Sequence, residues 1–186
     1  MVARIWWNLL SKPHTPWAKL WTAKYANSRP STDLIRMVPE QTGSLIWNAA
    51  KQHYLLIQQN CFWEIRNGSS ARFWHDSWQQ TPPLIEILPS INLGGNNSAH
   101  DVKVCQQWTA TNNNGFRQWK LPQIIVPHAQ ELDLDTLSNE LHRRQIRSSK
   151  KPDILRWGYS TKGMYTTKEA YSLMHPMPLP VILFGR

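Results

Sequence analysis

Three acids stand close together in the stretch QELDLDTL: Glu131, Asp133 and Asp135. Phosphoryl and nucleotidyl transfer need carboxylates converging on paired metal ions, so catalysis is sought here first. Leu134, Leu137 and Leu141 follow at helical spacing. That places the acids on the opening turns of a helix, where negative charge complements the positive end of the helix dipole. On this reading they begin a helix and hold no metal. No glycine-rich phosphate loop, nucleophile elbow or Ser-His-Asp order occurs elsewhere. Cys61 and Cys105 are the two cysteines, too few for a disulfide framework and outside any zinc-ligand spacing, and they read as packed, reduced thiols. The seven histidines are spread along the chain and recruit no metal. The expectation is a chain with no catalytic residue, no metal ligand and no cofactor of its own.

The other chemistry on offer is anion binding. Arg143, Arg144, Arg147, Lys150 and Lys151 crowd the end of the leucine-faced helix, in HRRQIRSSKKP. Phosphate contact is one reading of such a cluster. Cations that merely complement a helix C-terminus are the other. Arg66, Arg72 and the ring of Trp74 are further candidates, and Lys12, Lys19 and Lys24 are weaker ones. Lysine and arginine total 21 against 12 acids, a formal charge of +9. A surface of that sign attracts polyanions, nucleic acid first among them, although the cations are scattered and an inert basic domain is equally compatible.

The elements that must position these groups begin with short amphipathic helices. Trp6, Trp7, Leu9 and Leu10 precede a stop at Pro13; Trp17, Leu20, Trp21 and Tyr25 form an apolar stripe after Pro16. Asn27 to Thr42 reads as a loop. Ser44 caps a further helix that sets Trp47, Ala50, Tyr54 and Ile57 on one face. Then comes CFWEIRNGSSARFWHDSW, residues 61–78, with three tryptophans, two phenylalanines and two arginines around one Asn-Gly. Its period-two alternation predicts a hairpin with an odd loop centred on Gly68. That register pairs Trp63 with Phe73, Ile65 with Ala71 and Glu64 with Arg72, burying the apolar set and turning Trp74 outward. Trp17, Trp21, Trp47, Trp63 and Phe73 are therefore core residues rather than stacking platforms.

Pro82, Pro83 and Pro89 frame a short apolar segment, and LGGNNS reads as a flexible loop. Val102, Val104 and Trp108 fit either a strand or a helical turn; TNNNG at 111–115 is a turn. Residues 153–159 and 164–166 read as a second hairpin turned by STKG, and Thr166 with Glu169 caps a final helix. The tail HPMPLPVILFGR reads as unstructured. The fold class is α+β, helices with two short β-hairpins and proline-rich loops. The division is a helical segment over 1–60, a Trp-rich hairpin and connector over 61–127, a helix, hairpin and final helix over 128–175, and a tail over 176–186. No apolar run approaches the roughly 20 residues of a membrane span, and the first residues form a helix rather than a signal peptide.

The order W…LW…AKY, LIW, FWEIRNGSSARFWHDSW, PPLIEILPSI and DILRWGYSTKGMYTTKEAY resembles the C-terminal part of plant non-LTR, LINE-type retrotransposon reverse transcriptases, often catalogued as ribonuclease H proteins. The likeness runs from Ile5 to Met174. It implies the connector between the polymerase and a zinc-binding region, in a complete protein that copies RNA into DNA with a divalent metal. This chain would then be a non-catalytic fragment of an RNA-directed DNA polymerase. RNA or DNA would be its partner, with no membrane and no small-molecule substrate, and it would be intracellular, nuclear or cytoplasmic. The chain departs from the family where Arg66 replaces the first glycine of Ile-Gly-Asn-Gly, and after Tyr171, where the zinc-ligand segment is not found. The paired Asp-Asp polymerase motif is also missing. A second reading stays open: a structural or protein-interaction domain, or an inert product of a decayed element, with no nucleic-acid role.

Overall fold

The computed structural model describes residues 2–26, 43–91, 93, 97–120, 131–158, 160 and 162–175. The loop expected over 27–42, residues 94–96 of LGGNNS and the tail after 175 lie outside the described residues. In chain order the elements are α1 (Ala3–Ser11), α2 (Pro16–Tyr25), α3 (Leu45–Gln52), α4 (Tyr54–Asn60), β1 (Cys61–Glu64), α5 (Leu84–Ile87) and α6 (Asn97–His100). A 3-10 turn (Val104–Gln107) follows, then β2 (Trp108–Thr111), β3 (Arg117–Trp119), α7 (Glu131–Arg143), β4 (Ile154–Trp157) and α8 (Thr167–Met174). The fold is α+β, with two small antiparallel sheets. The chain divides into two units: Met1–Asn60 with Tyr159–Arg186, and Cys61–Gly158.

In the first unit the helices end where the sequence chemistry dictates. Pro16 opens α2, with Thr15 in extended conformation before it. The Ser44 hydroxyl accepts the Trp47 N–H at 3.3 Å and caps α3. The expected single helix breaks at His53, the C-cap of α3, yet Trp47, Ala50, Tyr54 and Ile57 are all buried. The Trp6 indole donates to the Ala50 carbonyl at 2.6 Å, and Tyr25 stacks on Trp47 with ring centroids 4.3 Å apart. Gly43 lies so close beneath this pair that an added Cβ would stand 2.5 Å from the Tyr25 ring. The α2 stripe is corrected at Leu20, which is 66% exposed. The Thr166 hydroxyl accepts the Glu169 N–H at 3.2 Å and donates to its carboxylate at 2.9 Å, capping α8. Met164–Thr166 form no strand.

In the second unit the expected pairing across Asn67-Gly68 is replaced by a longer-range one. β1 runs antiparallel to β4, with Trp63 opposite Leu155 and Glu64 opposite Ile154. On its other side Trp63 bridges Trp78 in parallel, donating its N–H to the Ser77 carbonyl at 2.8 Å. The reason lies in the turn. The Asp153 carboxylate accepts the backbone N–H groups of Arg66, Gly68 and Ser70 at 2.7, 2.8 and 2.8 Å. Successive backbone N–H groups make a concave anion nest, and a carboxylate on β4's doorstep fills it. Gly68 has φ +71° and carries no Cβ because one would meet the Trp108 ring at 2.5 Å and the Cys105 nitrogen at 2.7 Å. The second arm turns away and bonds elsewhere: the Phe73 N–H donates to the Val102 carbonyl and the Val104 N–H to the Ala71 carbonyl. The expected Glu64–Arg72 pair gives way to Glu64 with Arg66 and Arg156, and Arg72 with Asp101.

The core of this unit is aromatic. Phe73 meets Trp74 edge-on at 4.8 Å and lies 6.0 Å from Trp119, while Trp78 lies 5.7 Å from Trp119. Trp63, Phe73, Trp74, Trp78 and Trp157 are all buried. Large aromatic surfaces of this kind supply most of the apolar burial of a small unit. The outward position expected for Trp74 is therefore corrected: it is 3% exposed.

Candidate nucleic-acid interface

The interface is built by a hairpin that the sequence only half signalled. Asn112 makes its turn: the side-chain carbonyl accepts the N–H groups of Asn114 and Phe116 at 3.1 and 2.8 Å. An asparagine side chain imitating backbone in this way is a standard turn initiator. Gly115 takes φ +80° behind it. β2 and β3 then pair, Trp108 opposite Trp119 and Thr111 opposite Arg117, with an irregularity between.

The chain leaving α7 lies along the hairpin's other edge. The Arg117 N–H donates to the Ile146 carbonyl and the Ser148 N–H to the Gly115 carbonyl, both at 2.9 Å. The Trp119 indole donates to the Leu141 carbonyl at 2.9 Å and fixes the end of α7 beneath β3. Between hairpin and helix end lies a groove of about 500 Å³, lined among others by Phe116, Arg117, Trp119, His142 and Gln145.

The cations divide sharply on this framework. Arg143, Arg147, Lys150 and Lys151 are exposed. The Arg143 side chain is 81% exposed and reaches Glu140 only at 3.5 Å, a surface pairing worth little. The Arg147 guanidinium lies 5.5 Å over the Phe116 ring, and that of Arg117 lies 4.9 Å over Trp108. Arg144 is different and is withdrawn from the contact set. Its side chain is 1% exposed. Nε donates to Glu140 at 2.9 Å, Nη2 donates to the Pro82 carbonyl at 2.9 Å, and the guanidinium sits 4.3 Å over Trp78. Burial draws its proton affinity down while Glu140 opposes that shift. It is an internal tie, not a phosphate ligand.

Arg72 is likewise inside. Its backbone N–H donates to Asp76 at 2.7 Å and its side chain, 11% exposed, pairs with Asp101 at 3.1 Å. Arg66 is half-buried and paired with Glu64 at 2.9 Å. In the first unit Lys12, Lys19 and Lys24 are exposed on separate turns. The sequence reading overlooked Phe116, Arg117, Trp119, His142 and Gln145. The alternation of Phe116-Arg117-Gln118-Trp119 beyond TNNNG signals the strand, and it was hidden because the partner over 102–108 fitted strand and helical turn alike.

Asp133 and Asp135 have separate surroundings. Asp133 accepts the Ser90 hydroxyl at 2.6 Å and Asp135 is exposed on α7. Among the described residues no three His, Cys, Asp or Glu side chains form a group that could hold a metal ion. Burial pushes the thiols of Cys61 and Cys105 above their ordinary range, which suppresses the reactive thiolate. Among the described residues no helix is long and apolar enough to cross a membrane. Compared with family models, with curated proteins and with solved structures, the chain finds no match in any of the three.

Proposed function

We propose that this chain is a non-catalytic segment of a LINE-type reverse transcriptase, and that it binds RNA or DNA through the cations at the end of α7 and the hairpin packed against it. The observation that carries the binding half is the grouping of Arg143, Arg147, Lys150 and Lys151, all exposed, on one short run of chain bonded to the β2–β3 hairpin. Cations that neutralise phosphates release condensed counterions, so such binding weakens linearly in the logarithm of salt. The family half rests on the ordered motifs from Ile5 to Met174. Titration of the purified protein into labelled RNA and DNA at low and moderate salt tests the binding. Steep weakening with salt is expected, and absence of binding at low salt overturns it.

A second reading, a protein-interaction domain, is favoured by one feature of the first unit. Leu45 and Ile46 on α3 are 89% and 58% exposed, and Leu55 on α4 is 58% exposed. Light scattering across a concentration series tests it: self-association that disappears in Leu45→Ser supports this reading, and a monomer throughout removes its simplest form.

A further inference from the structure

We propose that the groove between the β2–β3 hairpin and the end of α7 receives an unpaired nucleobase, so that the ligand is a single strand and not a duplex. This rests on the reading above that the face binds RNA or DNA, and it names which form. The groove's volume, about 500 Å³, lies within the roughly 300–1,000 Å³ of pockets that enclose small ligands. Its walls offer what a base needs and a phosphate does not. Phe116 and Trp119 contribute ring surface, and the Trp119 indole N–H is already spent on Leu141. Trp119 also packs against Trp78 and Trp108, so Phe116 is the ring offered for stacking.

The polar lining is of the kind that meets base edges. Gln118 and Gln145 are exposed in the groove, and each side-chain amide both donates and accepts. His142 Nδ1 lies 2.7 Å from the Ser138 carbonyl. That oxygen can only accept, so Nδ1 donates to it. Arg117, also in the lining, has a buried Nε with no hydrogen-bond partner among the described residues. A buried donor of this kind is costly unless a ligand or water satisfies it. Arg143, Arg147, Lys150 and Lys151 lie on the adjoining chain for the phosphates on either side. A duplex keeps its base faces inside the stack and cannot present one to Phe116; a single strand can. An acidic peptide would satisfy the cations but leave ring surface and amides unused.

The test compares affinities at one salt concentration for short labelled RNA and DNA single strands, the same sequences as duplexes, abasic strands of equal phosphate number, and polyglutamate. The single strands are expected to bind about tenfold or more tighter than their abasic counterparts, in line with one stacked base. Phe116→Ala is expected to erase that margin. Gln145→Ala, at an exposed position, is expected to narrow it without changing the melting temperature. Equal affinity for intact and abasic strands, or a duplex bound as tightly as the single strand, overturns the base pocket and leaves phosphate binding standing. Polyglutamate bound more tightly than any strand overturns the pocket in favour of an acidic protein. Binding to no strand at low salt overturns the pocket and the preceding reading together.

Discussion

Asp153 accepts the backbone N–H of Gly68 at 2.8 Å across 85 residues of sequence, and this contact decides how the second unit is paired. The same carboxylate takes the N–H groups of Arg66 and Ser70. Hydrogen bonds to an ionised acceptor are about twice as strong as neutral ones. Asp153→Asn leaves the geometry but puts an amide N–H₂ against backbone donors, and a loss of about 2–4 kcal/mol in urea unfolding is expected. Gly68→Ala combines a positive φ with a Cβ set against Trp108 and Cys105, for a loss of about 2 kcal/mol or more. Both variants unfolding like the wild type would remove the nest from the account.

Adjacent arginines at the end of α7 are expected to behave oppositely. Arg144→Ala strands the buried Glu140 partner and empties the space over Trp78, at a cost of about 3–5 kcal/mol. Arg143→Ala removes an exposed cation and is expected to stay within about 0.5 kcal/mol of the wild type. Thermal unfolding of the pair measures the difference, and equal effects would contradict the assignment.

Glu64 makes the β1–β4 sheet sensitive to acid. Burial raises its proton affinity, but hydrogen bonds from Arg156 and Arg66 outweigh that and hold the carboxyl below its ordinary value of 4.5. A depressed folded value stabilises the fold above the unfolded one. The contribution is present at neutral pH and is lost as pH falls below about 4.5 through the folded value. Glu64→Gln is expected to lower stability at neutral pH and to flatten its decline on acidification; an unchanged acid profile would contradict this.

Thiol labelling reports the second unit's integrity. Cys61 is 5% exposed and its thiol is held protonated by burial, so it is expected to react only on unfolding. Cys105, half-buried, is expected to react slowly in the native state. Fast native labelling of both would mean that β1 is not packed as described.

Helices were legible because their signals are local. Pro16, Ser44 and Thr166 each act on the first turn of the helix that follows them, and the Trp47–Ile57 face follows from period alone. The alternation placed Trp63, Ile65, Ala71 and Phe73 inside as they are found, but it turned Trp74 outward where the structure buries it, because a period of two says nothing about which strand lies beside a residue. The partner was chosen by Asp153, a residue indistinguishable in sequence from any strand-edge acid. In the candidate site the cation cluster was legible as a density of charge, but not its division. Arg144 continues the Leu137–Leu141 stripe at helical spacing, and that periodicity, applied to a charged residue, would have placed it inside. The groove required knowing that β3 lies against α7, a contact made through Trp119 and Leu141 with no local signature.

The central claim is that exposed cations beside the hairpin bind nucleic-acid phosphates. Its most direct test is the salt dependence of single-strand affinity for the wild type against the variant combining Arg143→Gln, Arg147→Gln, Lys150→Gln and Lys151→Gln. Each phosphate contact removed lowers the log–log slope by about 0.7 for a single strand. The account predicts a wild-type slope that falls by roughly 2–3 in the variant with the melting temperature unchanged. An identical slope in the two proteins, with binding retained, would contradict it.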